Sequence, residues 1–453
     1  MPSPHARALA WLIVILVLAT FAFAAPPASA FCGFYVGKAD ATLFNQASQV
    51  IMVRRDNRTV ISMANDYRGD LTEFALVVPV PQVLEKSQIH IGDRKLFDRI
   101  DAFSAPRLAE YFDPDPCVAK VARSMGAMDA ALPASVAKQD RKEKEKALGV
   151  TVEASYTVGE YDIAILSAKQ SDGLETYLRQ NGYKIPPRAS AALLPYIRQN
   201  MKFFVAKVNL AEQAKTGVAW LRPLQFAFES EKFMLPVRLG MLNAKGPQDL
   251  VLYVLTPKGR VETTNYRTVK LPANMDVPTY VRSEFSKTYK AIFDAQAARE
   301  DYKVLFTEYF WDMAWCDPCA ADPLTPDELK QAGVFWTDGG ANRGAVGNPQ
   351  PVMLTRLHLR YTRDTLPEDL SFQETADREN FQVRYVLRHP WAGDASACSE
   401  AKPYFDSVRV RQEREAQTLA SLTGRDVNTI RARMSLAPLK NRWWESLWPE
   451  AKP

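Results

Sequence analysis

The chain has 453 residues, of which 24% are charged and 11% aromatic, and its formal net charge is only +5. At roughly 150 residues per domain, this length predicts two to four domains with sizeable cores. Acidic and basic residues are interspersed along the chain. This argues against nucleic acid as a partner, because nucleic-acid binding requires a concentrated basic surface.

The first thirty residues have the pattern of a secretory signal peptide. His5 and Arg7 precede an apolar run over residues 8–25, and small residues at 28–30 favour cleavage after Ala30. An uncleaved anchor helix is the alternative, but the core of the run is short for a membrane span. We therefore expect a periplasmic or secreted protein that has lost residues 1–30.

Strand patterns dominate residues 31–118, which predict a β-sandwich-like domain. Residues 49–54 and 59–65 flank a polar turn and predict a hairpin. Residues 74–81 form an almost wholly apolar strand that ends at its prolines. Residues 95–112 follow with helical spacing of their apolar positions and a break at Pro106.

An Ala-rich and charged stretch over residues 119–148 predicts a linker, and residues 149–275 predict an α+β domain. Paired strands are predicted at 150–158 and 161–168, and helices at 171–180 and 188–200. Further strands are predicted at 203–209, 224–229, 250–255 and 260–271.

Residues 276–406 predict a second α+β domain, which contains cysteines, and residues 407–453 predict a charged helical tail. The domain has a predicted helix at 281–300 and predicted strands at 302–311, 354–362, 370–373 and 381–388. The whole pattern predicts a strand-rich α+β protein, in which a β-sandwich-like unit precedes α+β units and a helical C-terminal tail.

All five cysteines follow the predicted signal peptide, at Cys32, Cys117, Cys316, Cys319 and Cys398. Disulfides persist outside the cytoplasm, so each cysteine is a candidate for one, and the odd number leaves one unpaired or joined to another molecule. We expect either a Cys316–Cys319 bridge or a bridge from one of these two to Cys398, with Cys32 bonded to Cys117.

The sequence Trp315-Cys316-Asp317-Pro318-Cys319 has the spacing of a thioredoxin-like redox site. Such a site requires a helix N-terminus that stabilises the thiolate of its first cysteine. Here Pro323 follows, and Thr325 with Pro326 has the pattern of a new helix start, with Thr as the cap. The cysteines are therefore predicted to lie in a loop, which favours a structural disulfide over catalysis.

Other candidate sites have weaker patterns. Acidic residues at 65–70 and at Asp113 and Asp115 are more typical of turns than of a calcium loop. After the signal peptide, the three histidines at 90, 358 and 389 are far apart in sequence, which disfavours a zinc site or a His-based triad. We predict no cofactor and no metal.

The C-terminal tail contains three tryptophans, Trp443, Trp444 and Trp448, beside basic residues. This composition is compatible with contact at a membrane interface. The favoured interpretation is that the tail docks onto its own domain, because an isolated short helix is only marginally stable.

Several stretches of the chain resemble the Domain of Unknown Function 2330 family, which comprises exported bacterial proteins without an assigned activity. They are residues 31–36 (FCGFYV), 63–67 (MANDY), 74–81 (FALVVPVP), 104–108 (SAPRL), 111–117 (YFDPDPC), 177–178 (YL), 181–183 (NGY), 236–239 (PVRL) and 315–319 (WCDPC). The resemblance covers most of the mature chain and implies no catalytic residue.

These observations predict a non-catalytic binding or scaffolding protein of the cell envelope or the medium, held together by disulfides and partnered by an envelope protein. The alternative is a thiol–disulfide oxidoreductase in which Cys316 is the nucleophile and Cys319 the resolving thiol.

Overall fold

The computed structural model describes residues 34–38, 44–68, 74–118, 150–168, 171–181, 183–184, 189–216, 221–242, 246–314, 321–337 and 352–436. The predicted signal peptide and linker lie outside these residues. So do Cys32, the Cys316–Cys319 motif and the tail tryptophans.

The described residues form strands and helices, with several runs of consecutive strands. The strands are β1 (Phe34–Lys38), β2 (Phe44–Arg55), β3 (Arg58–Arg68), β4 (Phe74–Val80), β5 (Ile89–Ile91), β6 (Arg107–Phe112), β7 (Val150–Val158), β8 (Tyr161–Ala168), β9 (Tyr183–Lys184), β10 (Lys202–Val208), β11 (Leu224–Glu229), β12 (Met234–Leu235), β13 (Gln248–Thr256), β14 (Val261–Thr263), β15 (Arg267–Lys270), β16 (Met275–Asp276), β17 (Val304–Asp312), β18 (Met353–Tyr361), β19 (Leu370–Glu374), β20 (Phe381–Gln382) and β21 (Arg384–His389).

The helices are α1 (Arg94–Ser104), α2 (Ser171–Gln180), α3 (Ala189–Arg198), α4 (Leu210–Lys215), α5 (Phe285–Arg299), α6 (Pro326–Ala332), α7 (Ala401–Thr423) and α8 (Val427–Arg433). Short 3-10 helices lie at Lys86–Gln88, Arg238–Leu242 and Thr279–Glu284. This mixture of strand-rich sheets with helices confirms the predicted α+β class.

Two large sheets organise the molecule. One has the strand order β7-β8-β10-β4-β1-β9, and the other has the order β15-β17-β18-β13-β2-β3-β11-β5 with β20 beside β17. Two three-stranded sheets, β12-β19-β14 and β16-β21-β6, complete the pattern. Both large sheets contain strands from more than one predicted domain, and the division of the chain into separate units stays a prediction.

The two large sheets pack face to face around a shared apolar core. Leu76 and Val78 of β4 lie in one core cluster with Val50 and Met52 of β2. The intervening Ile51 of β2 faces the opposite way, into a core under α1 and α6. This alternation follows from the two-residue period of a strand and indicates that the central strands are covered on both faces.

Helices cover the outer faces of the sandwich. Leu174 of α2 and Leu193 of α3 pack against the six-stranded sheet. Ile292 of α5 and Leu419 of α7 lie in another core with Phe306 of β17. Among the described residues, no helix is both long enough and apolar enough to cross a membrane.

Most predicted elements are present, and one is wrong. The predicted hairpin is formed by β2 and β3, with Arg55 opposite Arg58. The predicted helix over residues 95–112 ends at Ser104, and the residues after Pro106 form strand β6. Pro106 lacks an N–H and disfavours a helical conformation in the residue before it. The segment after Pro106 then pairs in parallel with β21.

The predicted disulfide pairing is also wrong at two cysteines. Cys117 and Cys398 lie at disulfide-bonding distance from each other, so neither can take the partner that we expected from the sequence. The parallel pairing of β6 with β21 brings their segments together, because Phe112 at the end of β6 lies opposite His389.

Candidate functional site

An apolar cavity of about 240 Å³ lies between the two large sheets. The nine-stranded sheet contributes Met63 of β3 and Phe228 of β11 to its wall, and the six-stranded sheet contributes Val78 of β4. The complete lining is Ile61, Met63, Val78, Pro79, Pro81, Gln199, Met201, Phe226, Phe228, Ser230, Glu231, Lys232, Met234, Leu235 and Pro236.

Two strands beside the cavity end at prolines. Pro81 directly follows β4, and a proline has no N–H with which to continue a ladder. Pro236 directly follows β12, a strand of the three-stranded sheet β12-β19-β14. Both prolines line the cavity.

Polar and charged side chains form the rim of the cavity. The ammonium group of Lys232 donates a hydrogen bond of 2.6 Å to Oε1 of Gln199, which joins the two sides of the mouth. Both residues, and Glu231 beside them, are exposed. A ligand with one apolar end and one polar end could therefore place the first among the side chains of the core and the second at the rim.

The buried guanidinium of Arg54 holds the rim segment in place. It donates hydrogen bonds to the carbonyl oxygens of Ser230 at 2.9 Å and Glu231 at 3.3 Å, and it lies 5.3 Å from the ring centre of Phe233. Burial lowers the pKa of Arg54 from its ordinary value. A buried cation that binds two carbonyl groups is a strong constraint on backbone position.

A second feature, a cluster of buried charges, lies beneath α5. The carboxylate of Glu308, on β17, receives a 2.6 Å hydrogen bond from Nε of Arg356 and lies 2.6 Å from Nδ1 of His358. It also accepts a hydrogen bond from the hydroxyl of Tyr289. Arg356 donates a further hydrogen bond to Asp101 at 2.7 Å.

Electrostatics keep this carboxylate ionised. Burial alone would raise the pKa of Glu308, but the facing His358 and Arg356 outweigh it and lower the pKa to about 2. Burial raises the pKa of Tyr289 well above its usual range. Both oxygens of Glu308 already have partners and its side chain is fully buried, so we interpret the cluster as structural.

The structure does not bring the predicted site residues together into one site. Cys117 bonds to Cys398, whereas Cys32, Cys316 and Cys319 lie outside the described residues, and the redox alternative stays a prediction. Within the described part of the chain, no group of three or more metal-binding side chains is present.

The histidines and the acidic turn have separate local roles. His90 is exposed on β5, and His389 lies 2.8 Å from Glu110. Asp113 accepts hydrogen bonds of 2.7 Å from Tyr404 and Arg411, both on α7. These contacts join neighbouring elements and do not form a common centre.

The sequence analysis did not identify the cavity. Its lining residues come from segments far apart in the chain, and each segment alone has the pattern of ordinary core. The signal that the sequence offers is the position of the prolines in residues 79–81 and 233–236, because a proline interrupts the hydrogen-bond ladder of a strand.

Comparison with known proteins gives one family. No curated protein and no solved structure matches the chain. A model of the family described as "Uncharacterized protein conserved in bacteria (DUF2330)" matches residues 26–373, which is most of the chain. The chain therefore belongs to the DUF2330 family.

Proposed function

We propose that this protein is exported, with its leader cleaved after Ala30, and acts outside the cytoplasm as a non-catalytic binding protein. The proposed binding site is the cavity between the two large sheets. One observation carries the proposal: about 240 Å³ of apolar space lies beside a polar, exposed rim. Small-molecule sites generally combine an apolar lining with a few polar groups in this way.

The size of the cavity limits the ligand. Pockets for drug-sized molecules have volumes of roughly 300–1,000 Å³. An engineered cavity of about 150 Å³ is known to hold benzene. The cavity therefore suits one ring or a short alkyl chain, with a polar group at the level of Lys232 and Gln199. We propose that the ring or alkyl chain that enters the cavity belongs to an envelope protein, the partner of this chain.

The arrangement of charges supports binding rather than catalysis. The strongly perturbed carboxylate of Glu308 has partners at both oxygens, so neither is available to a substrate. The charged residues of the cavity itself, Glu231 and Lys232, are exposed at the rim. A few polar groups at the mouth of an apolar cavity of this kind orient a ligand.

The test is binding of 1-hexanol to the purified protein, which saturation-transfer NMR measures. We expect saturable binding, and binding of 1,6-hexanediol weaker by about tenfold or more, because its second hydroxyl would be buried without a partner. Met234→Trp should abolish hexanol binding by filling the cavity. Met241→Trp is the matched control, because Met241 is also half-buried but does not line the cavity.

Equal binding of the two alcohols, or hexanol binding that survives Met234→Trp, would contradict the proposed site.

The proposed export is tested separately, by determining where the mature protein begins. The protein isolated from native cells should begin at Phe31 when its N-terminus is sequenced, and a cytoplasmic protein that retains residues 1–30 would overturn this part of the proposal.

A further inference from the structure

A second cavity, of about 200 Å³, has a lining separate from that of the first and is independent of the proposed function. It is enclosed by the 3-10 helix Thr279–Glu284, the end of β21, one face of α7 and the end of α8. The lining residues are Pro278, Thr279, Tyr280, Arg388, Pro390, Gln412, Glu415, Arg433, Met434 and Ser435.

The arginines of this region are already paired with carboxylates. Nε of Arg388 lies 3.1 Å from a carboxylate oxygen of Asp276, and Nη1 of Arg433 lies 2.6 Å from Glu284. Arg411, which lies on α7 one turn before Glu415, is 2.7 Å from Asp113. Each of these three arginines therefore has a carboxylate partner, and Arg411 also lies 3.5 Å from Glu415. Arg425 adds a further positive charge near Tyr280 and Glu284.

One carboxylate oxygen of Glu415 lacks the hydrogen bond that a buried carboxylate oxygen normally has. The side chain is 3% exposed, and its Oε1 makes no hydrogen bond within the described residues. Nε of Arg411 lies 3.5 Å from that oxygen, close enough for an ion pair. In the same part of the chain, the hydroxyl of Tyr280, also in the cavity wall, is buried without a hydrogen-bond partner. Unsatisfied buried polar groups are rare in native proteins and require an explanation.

The chemistry of these two groups selects the ligand. A carboxylate oxygen only accepts, and a hydroxyl can accept as well as donate, so one donor can satisfy both groups. A primary ammonium has three N–H donors and a positive charge that would pair with the ionised carboxylate. A divalent metal fits poorly, because such ions require several oxygen, nitrogen or sulfur ligands, and Glu415 is the one carboxylate among the described residues that line this cavity.

We propose that this cavity binds a small primary ammonium ion, with Oε1 of Glu415 and the hydroxyl of Tyr280 as its acceptors. The volume of about 200 Å³ has room for the ammonium and a short alkyl chain. The side chains of Pro278, Pro390 and Met434 provide apolar contacts for that chain.

Proton release should accompany binding. Burial raises the pKa of Glu415 to about 7, against the opposing effect of Arg411. Asp276 raises this pKa further, Arg388 lowers it and Asp113 raises it. The ammonium requires the ionised form of Glu415, so its affinity should fall by about tenfold for each pH unit below 7.

The test is titration calorimetry of the full-length protein with propylammonium chloride at pH 6, 7 and 8. We expect affinity to rise with pH to a plateau and sodium propionate not to bind. Glu415→Gln should weaken binding by about tenfold or more and remove its pH dependence, and Tyr280→Phe should weaken it severalfold. Asp406→Asn, which removes a 61% exposed carboxylate from the same helix, should bind as the wild type does.

Absence of propylammonium binding at pH 8, or binding by Glu415→Gln with wild-type affinity and pH dependence, overturns the proposal. If Glu415→Gln does not unfold cooperatively, it is not folded and its affinity is not informative. The Tyr280→Phe variant then provides the test, and unchanged affinity for propylammonium in that variant overturns the proposal. Neither result affects hexanol binding, because the two cavities share no lining residue.

Discussion

Replacement of Glu308 should strongly weaken the folded state. Removal of its charge leaves the buried guanidinium of Arg356 with Asp101 as its remaining carboxylate partner. Loss of one member of a buried ion pair costs about 3–5 kcal/mol, because the other charge stays buried. We therefore expect Glu308→Gln to lower the free energy of unfolding at pH 7 by about 3 kcal/mol, measured by urea denaturation.

The matched control for this change is Glu379→Gln. Glu379 pairs with Lys270 at 2.7 Å, but its side chain is 73% exposed, and exposed pairs contribute about 0–1 kcal/mol. The difference between the two variants should also depend on pH. The pKa of Glu308 is lowered in the folded protein from 4.5 to about 2, so its contribution is complete above pH 4.5 and is lost as the pH falls toward 2. Equal effects of the two substitutions would contradict the structural role of Glu308.

The sequence could not have predicted this cluster. Glu308 lies in the apolar stretch Val304–Asp312, where it has the pattern of one polar residue in a buried strand. Its partners Arg356 and His358 lie on the neighbouring strand β18, and Tyr289 lies on α5. Strand pairing across the sheet brings them together, and periodicity within one strand contains no information about its neighbour.

Elements with local chemical signals were predicted well. Thr325 caps α6 in a capping box with Glu328, and Pro326 is the first residue of the helix, as the sequence indicated. Strand β6 was missed because its apolar residues do not alternate. Its buried positions are Arg107 and Ala109, whereas Phe112 is 73% exposed. The decisive contact is the ladder to β21, which is far along the chain.

The ends of α6 and α7 allow a matched test of helix termination. Gly333 ends α6 with φ +100°, and a Cβ there would lie 2.6 Å from Cγ1 of Val60. Gly424 ends α7 with φ +67°, and a Cβ there would meet no atom of the described residues within 4 Å. Both positions are in the left-handed region, where an alanine is strained by about 1–2 kcal/mol.

We expect Gly424→Ala to lower the free energy of unfolding by about 1 kcal/mol, from backbone strain alone. Gly333→Ala should cost about 1–3 kcal/mol more, because the added methyl group also overpacks against Val60. Urea denaturation of the two variants measures the difference. The double variant Val60→Ala with Gly333→Ala should recover part of that added cost, and no recovery would show that the contact with Val60 is unimportant.

At the scale of the whole molecule, sequence patterns did not predict the order of the strands in the sheets. Strand β13 pairs in parallel with β2, although about two hundred residues separate their first paired residues, Leu250 and Ser48. Apolar runs predicted both strands, but their adjacency depends on how all the apolar faces are buried together. The cavity at the edge of the sandwich depends on that same order.

The cysteine pair should fasten the β6 end of this assembly to the start of α7. Cys117 and Cys398 are 281 residues apart in sequence, and a link between distant residues restricts the unfolded chain more than the folded one. We expect Cys117→Ser and Cys398→Ser each to lower the free energy of unfolding by about 2–4 kcal/mol. The double variant should lose no more than either single variant, because each one already removes the whole link.

Guanidinium denaturation without reductant measures the unfolding free energy of all three variants, and non-reducing peptide mapping of the wild type should show Cys117 joined to Cys398. Additive losses, or a mapped peptide that joins Cys117 to Cys32, would contradict this pairing.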